Sequence, residues 1–210
     1  MAESFAFKPG ERINEGKLAS ELGISRTPLR EALNRLSIEG FLQFRAGKGF
    51  FCRALDPQEI FDLYQLRSAI EVAGVKLAVK RAATEDIARL KAFLNETGPN
   101  PENRSPAEPV RFDERFHEEL NQMSGNAEML NVLKNINRRI HFVRWIHMSN
   151  QDRSKTQHEH MQVISAIESG DETKAVQILE RHIDRRMEEI TDAIREGYSR
   201  IYMGETLSAG

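Results

Sequence analysis

The sequence predicts a mostly α-helical chain in two parts: two short helices with a β-hairpin, then an all-α helical bundle. Three observations carry this reading. Gly23-Ile24-Ser25 separates two short amphipathic stretches, Phe41 to Phe51 alternates around Ala46-Gly47-Lys48-Gly49, and from Pro57 onward apolar residues recur every three to four positions. A chain of 210 residues, 40% hydrophobic, has room and apolar content for two small cores. Cys52 is the only cysteine, which excludes an intrachain disulfide. No apolar run is long enough for a bilayer and the N-terminus does not read as a signal peptide, so the expected setting is cytoplasmic, with no membrane partner.

The elements follow in order. Residues 14–22 read as a helix with Leu18, Ala19 and Leu22 facing inward, stopped by Gly23. Ser25 is a suitable N-cap for a second helix, and Pro28 falls in its first turn, where no intrahelical N–H is lost. That helix runs to about Glu39, carries Leu29, Leu33 and Leu36 on one stripe, and ends at Gly40. The alternating stretch after it forms a hairpin with a glycine-rich tip. Asp56-Pro57 marks a boundary, giving domains of 1–55 and 56–204. Helices are expected near 57–82, 84–96, 110–124, 126–148, 155–169 and 171–200. Residues 98–109 hold four prolines and read as a loop inside the second domain, and the tail from Gly204 is expected to fray.

Charge divides along the same line. Residues 1–55 carry nine Lys/Arg against six Asp/Glu, a balance of +3; the rest balances at −5. A basic head on an acidic body suits a phosphate-contacting module. Two helices, a tight turn and a hairpin wing in this order form a winged helix-turn-helix, whose second helix reads double-stranded DNA in the major groove. On its outer face lie Arg26, Thr27 and Arg30. Arginine can bridge both acceptors of a guanine edge, while Ser25 and the first amides of the helix can hold a phosphate. In the wing, Arg45 and Lys48 flank Gly47, which lets backbone approach a groove. One such helix reads too few base pairs to stand out in a genome, so a homodimer on a pseudo-palindromic operator is expected.

The stretch Pro9-Gly10-Glu11-Arg12-Ile13, then Leu18-Ala19, then Gly23-Ile24-Ser25-Arg26-Thr27-Pro28-Leu29-Arg30-Glu31-Ala32-Leu33 resembles the winged helix of the GntR family of bacterial regulators. Leu36, Glu39-Gly40 and Gly47 continue the likeness. It implies DNA contacts from Ser25, Arg26, Thr27, Arg30 and Gly47. Two features depart from the pattern: only eight residues precede the Pro-Gly turn, where the family has a further helix, and Gly16 stands where many members carry arginine.

In the second part, three histidines sit on inward stripes. Asp113 and His117 are four apart, on one face with Phe116 and Leu120. His160 shares a stripe with Val163, Ile164 and Ile167, and His182 with Ala175, Ile178, Leu179 and Arg186. Imidazole and carboxylate without thiolate suit a divalent metal and leave Zn²⁺, Ni²⁺ and Mn²⁺ open. His141, His147 and His158 lack this arrangement. Leu66-Arg67, Glu71, Asp113, Phe116-His117, Gly125-Asn126, His160, Ala166-Ile167, Gly170-Asp171, Ala175 and His182-Ile183 resemble the FCD subgroup of GntR regulators. The resemblance implies a metal held by Asp113, His117, His160 and His182, with a small carboxylate effector on or beside it. Arg67 is then the candidate effector clamp, its alternative being a salt bridge to Glu71 one turn on; Asn137, His141 and Arg144 are further candidates for the same cavity. Metal affinity is expected to fall below about pH 6, where unperturbed imidazoles protonate. The expected function is a metal- and carboxylate-responsive regulator, a repressor released by its effector. The alternative is a small helical metalloenzyme in which a His₃Asp site activates water. It lacks a general base, since Glu118 and Glu119 fall off the ligand stripe, and structural zinc without cysteine is unusual.

Overall fold

In a computed structural model the chain is described at residues 10–53, 56–98, 108–149, 153–184 and Ile194. Helices α1 (Glu15–Leu22) and α2 (Arg26–Ile38) precede strands β1 (Leu42–Arg45) and β2 (Gly49–Cys52). Helices α3 (Pro57–Arg81), α4 (Thr84–Thr97), α5 (Glu108–Gln122), α6 (Ala127–Ser149), α7 (Arg153–Glu168) and α8 (Glu172–Ile183) follow. The chain is thus mostly α, with a winged helix-turn-helix in front of a helical bundle.

The front part closes around Ile13, Leu18, Ala19, Leu29, Leu33, Phe41, Leu42 and Phe50, with Leu36 against them. The Asn14 side chain caps α1 by accepting from Lys17 N at 3.0 Å, and Gly23 ends it in the left-handed conformation at φ 65°. Leu22, expected inward, is 50% exposed, because α1 is only two turns long and only Leu18 and Ala19 reach the core. Ser25 occupies the N-cap position of α2 in extended backbone, but its hydroxyl makes no capping bond. The strands pair antiparallel from Leu42↔Cys52 to Arg45↔Gly49. Periodicity did not reveal that residues 10–13 add to the outer edge of β2. There Ile13 N donates to Phe50 O and Cys52 N to Glu11 O, both at 2.8 Å.

In the bundle α8 lies on α7 and α3, α5 on α6 and α3, and α4 on α7 and α5. Asp56 and Asp171 cap α3 and α8 through their side chains. The core runs from Ile60 to Ile194 and includes Val75, Ala78, Leu90, Phe116, Leu120, Ile136, Ile140, Ile164 and Leu179. Helix α5 begins at Glu108, two residues before the expected start at 110, with Pro109 in the first turn; residues 99–107 of the expected loop lie outside the described residues. The expected helix at 171–200 is described to Ile183; Arg186 and the tail lie outside the described residues.

The two parts meet where α2 ends. Gly40 has φ 87°, and a Cβ there would lie 3.1 Å from the Arg139 guanidinium carbon of α6. Glycine serves both the turn and this close approach. Among the described residues no helix is long and apolar enough to cross a membrane.

Candidate metal centre and nucleic-acid interface

Ser25, Arg26, Thr27 and Arg30 are exposed at the N-terminal end of α2, where unpaired amides and the helix dipole favour an anion. Arg30 Nε lies 3.5 Å from Glu15 Oε2. The absence of a side chain at Gly16 makes room for Arg26, whose Nη2 would lie 3.3 Å from a Cβ there. In the wing, Arg45 donates to Gln43 Oε1 at 2.9 and 3.2 Å and lies over the Phe51 ring at 4.4 Å. Lys48 is exposed, and Gly47 turns the tip at φ 71°.

The bundle interior holds a second constellation. Helix α5 presents Asp113 and His117 one turn apart, α7 presents His160 and α8 His182. One ligand atom from each lies within 4.8 Å of all the others. Asp113 Oδ1 is 3.4 Å from His160 Nε2 and 3.9 Å from His182 Nε2; its Oδ2 is 3.6 Å from His117 Nε2. His117 Nδ1 meets Glu71 Oε2 at 2.5 Å and His182 Nδ1 meets Glu159 Oε2 at 2.8 Å. Each carboxylate accepts the Nδ1 proton of its ring, so in neutral rings both Nε2 atoms carry lone pairs. Those two lone pairs face each other across 3.2 Å, and His160 Nε2 is 3.0 Å from the same atom of His182. Apposed acceptors beside a carboxylate repel one another unless a cation lies among them, so the donor set fits a divalent metal.

Electrostatics agree with neutral rings. Burial lowers the His160 pKa well below its ordinary 6.5, aided by His182, His117, Arg144 and Arg67. Burial also brings His182 down to about 4, although Glu159 works against it. Phe116 stacks on His160 at 3.7 Å between centroids, fixing the ring plane. A cleft lined by Leu94, Thr97, Phe112 and Gln157 reaches Asp113 and His160 from the surface.

Two buried arginines flank the cluster. Arg67 Nε donates to Glu71 Oε1 at 2.5 Å, so the salt bridge posed as the alternative for Arg67 is present. Yet Arg67 Nη2 is buried with no hydrogen-bond partner among the described residues. Burial alone would raise the Glu71 pKa, but Arg67 and His117 outweigh it and hold the carboxyl at about 2. From α6, Arg144 bonds Asp113 Oδ2 and reaches Asn137 Oδ1 at 3.3 Å. His141 Nδ1 meets Glu114 at 2.9 Å, and His158 is exposed against Gln162. His147 lies among side chains outside the described residues. Glu118 and Glu119 are engaged elsewhere, with Asn137 and Arg115 respectively.

Both parts of the chain match known families. Residues 62–185 fit the FCD domain, and residues 3–52 fit the bacterial regulatory proteins of the gntR family. The chain belongs to the GntR family. It is a DNA-binding transcriptional regulator carrying an FCD domain. It is 45% identical over 202 residues to the Nta operon transcriptional regulator of Aminobacter aminovorans, covering 95% of this chain and 96% of that one. The fold is similar to E. coli McbR/YncC at TM-score 0.66 and 17% identity, covering 98% of this chain and 93% of the other. It is also similar to a metal-free FCD domain of TM0439 at TM-score 0.50 and 24% identity, covering 71% of this chain and 99% of that one. The Aminobacter relative is a transcriptional regulator, and the chain is a regulator rather than an enzyme.

In this GntR regulator, sequence reasoning missed the carboxylates behind the histidines. Glu71 entered it only as a partner of Arg67, and Glu159 not at all. The Arg67/Glu71 spacing of four was the available signal for the first. The Glu159–His182 contact spans 23 residues and leaves no local signature.

Proposed function

We propose that this GntR regulator senses a small carboxylate through a divalent metal held by Asp113, His117, His160 and His182, and that effector binding releases it from DNA as a repressor. The observation that carries the reading is the opposed pair of Nε2 atoms of His117 and His182, 3.2 Å apart, each ring fixed from behind by a carboxylate. A bound Zn²⁺, Ni²⁺ or Mn²⁺ would supply an electrophilic acceptor for a carboxylate oxygen. Glu71 and Glu159 orient the rings of His117 and His182 and keep their Nε2 lone pairs inward. Arg67, with an unpartnered buried Nη2, offers the charge-assisted clamp for the effector's anionic end. The cleft beside Thr97 and Gln157 adjoins Asp113 and His160.

At the other end, Arg26, Thr27 and Arg30 read base edges, Ser25 holds a phosphate, and Arg45, Gly47 and Lys48 track the backbone with the wing. Residues 1–55 act as the reading unit and residues 56–204 as the sensing unit, in the cytoplasm, as a twofold homodimer on a pseudo-palindromic operator. The test is a gel shift on the promoter region of the protein's own gene cluster, with sedimentation of the free protein and the complex. The reading expects a dimer on DNA, displaced by a small organic acid only when metal is loaded. Displacement that survives complete metal removal, or a monomer throughout, overturns it.

A further inference from the structure

We propose that α6 couples the metal centre to the DNA-reading helix, with Arg144 as a positioning residue at one end and Asn135 and Arg139 gripping the winged helix at the other. The proposal rests on the metal-sensing reading above and supplies its route. At the sensing end the Arg144 guanidinium, buried in the bundle, holds Asp113 Oδ2 and lies 3.6 Å from Glu114 Oε1 and 3.3 Å from Asn137 Oδ1. His141, one turn before it, meets Glu114 at 2.9 Å. Two side chains of α6 thus grip two successive carboxylates of α5, one of them belonging to the metal set.

At the reading end the same helix grips the end of α2. Asn135 Nδ2 donates to Glu39 O at 3.3 Å, and Arg138 lies 3.9 Å from Glu39 Oε2 and over the Phe41 ring at 5.6 Å. Arg139 covers Gly40 and bonds Glu59 Oε1 at 2.6 Å; Glu59 in turn holds Arg53, at the end of the wing, at 2.7 Å. Asn135 and Arg144 are nine residues apart, about 13 Å along a helix. No loop intervenes, and the helix is packed by Ile136, Ile140 and Val143.

The Asp113 carboxylate is shared. Its Oδ1 faces His160 and His182 while its Oδ2 serves Arg144. A dication among the histidines draws charge from the carboxylate and weakens its hold on Arg144, and an anion on that dication competes for the same guanidinium. A close-packed helix answers by shifting as a unit rather than by bending locally. Its other end is fastened to the last turn of the recognition helix, so the shift reaches α2 directly.

The experiment uses the full chain, stripped with chelator and reloaded with Zn²⁺, and follows hydrogen–deuterium exchange of peptides covering 36–42. Wild type is expected to bind one zinc per chain and to change exchange there by about fivefold or more, the lower range of allosteric coupling. The pair Asn135→Ala and Arg139→Gln, remote from the ligands, is expected to bind zinc equally and lose the change. Arg144→Gln is expected to lose it as well. Absence of zinc binding in wild type overturns the metal reading together with this one. Zinc bound with unchanged exchange at 36–42, or a full response in the Asn135/Arg139 pair, overturns the coupling alone.

Discussion

Glu71 joins the two halves of the candidate metal site, with one carboxylate oxygen on Arg67 and the other on His117, all buried. Glu71→Gln leaves the Arg67 guanidinium without its anion, and the single remaining carbonyl oxygen cannot accept from both Arg67 and His117. Breaking a buried pair costs about 3–5 kcal/mol, to be read by urea denaturation, and losing the orienting acceptor weakens metal affinity about 10–100-fold, to be read by chelator competition. A second prediction concerns acid. The folded His182 pKa is about 4 against an ordinary 6.5, so the unfolded chain takes up the proton first. Stability of the metal-stripped protein should therefore be fully present above pH 6.5 and fall as pH drops toward 4, the unfolded state binding more protons throughout that window. Thermal midpoints in chelator between pH 8 and 4, within the range where folding is retained, check the sign; a midpoint that rises on acidification contradicts it. The sequence alone placed the acid limb for metal loss near pH 6, using unperturbed imidazoles. Burial, which no spacing rule reports, lowers the His160 and His182 pKa values below that reference. At this scale the Asp113/His117 pair was legible from a spacing of four, whereas Glu71–His117 spans 46 residues and was not.

Among the elements, α3, which carries Arg67 and Glu71, and α5, which carries Asp113 and His117, approach closely at Gly74. A Cβ there would fall 2.5 Å from Asn121 Nδ2, a buried amide with no hydrogen-bond partner among the described residues. Asn121 lies one turn beyond His117, so Gly74→Ala should push α5 outward, cost about 1–3 kcal/mol and weaken metal retention; equilibrium unfolding and metal titration check both. For α2 the exposed face predicts the opposite pattern. Arg30→Ala should weaken operator binding by roughly 1–3 kcal/mol and leave the thermal midpoint nearly unchanged, since the ion pair it makes with Glu15 is half-exposed. A gel shift beside a melting curve separates the two effects. The helices were legible to within a few residues because their apolar stripes and caps are local. Leu22 and the bridge from residues 10–13 to β2 were not. Whether Leu22 is covered depends on how far α1 reaches over α2, and residues 10–13 pair with β2 some forty positions away.

At the scale of the molecule, a GntR reading head and an FCD bundle are joined at a small polar seam of Glu39, Gly40, Glu59, Asn135 and Arg139. Composition foreshadowed this division through a +3 head on a −5 body, and the histidine stripes foretold which helices converge. The seam itself was illegible, because charged residues on a helix face look alike whether they meet solvent or another element. In the proposed reading Asp113, His117, His160 and His182 form one metal centre on which sensing depends. Elemental analysis of wild type and of the double variant His160→Ala/His182→Ala, purified identically, tests it most directly. About one divalent metal per wild-type chain is expected, as the four-residue donor set found among the described residues implies, and almost none in the variant; equal metal content in both would contradict the metal centre.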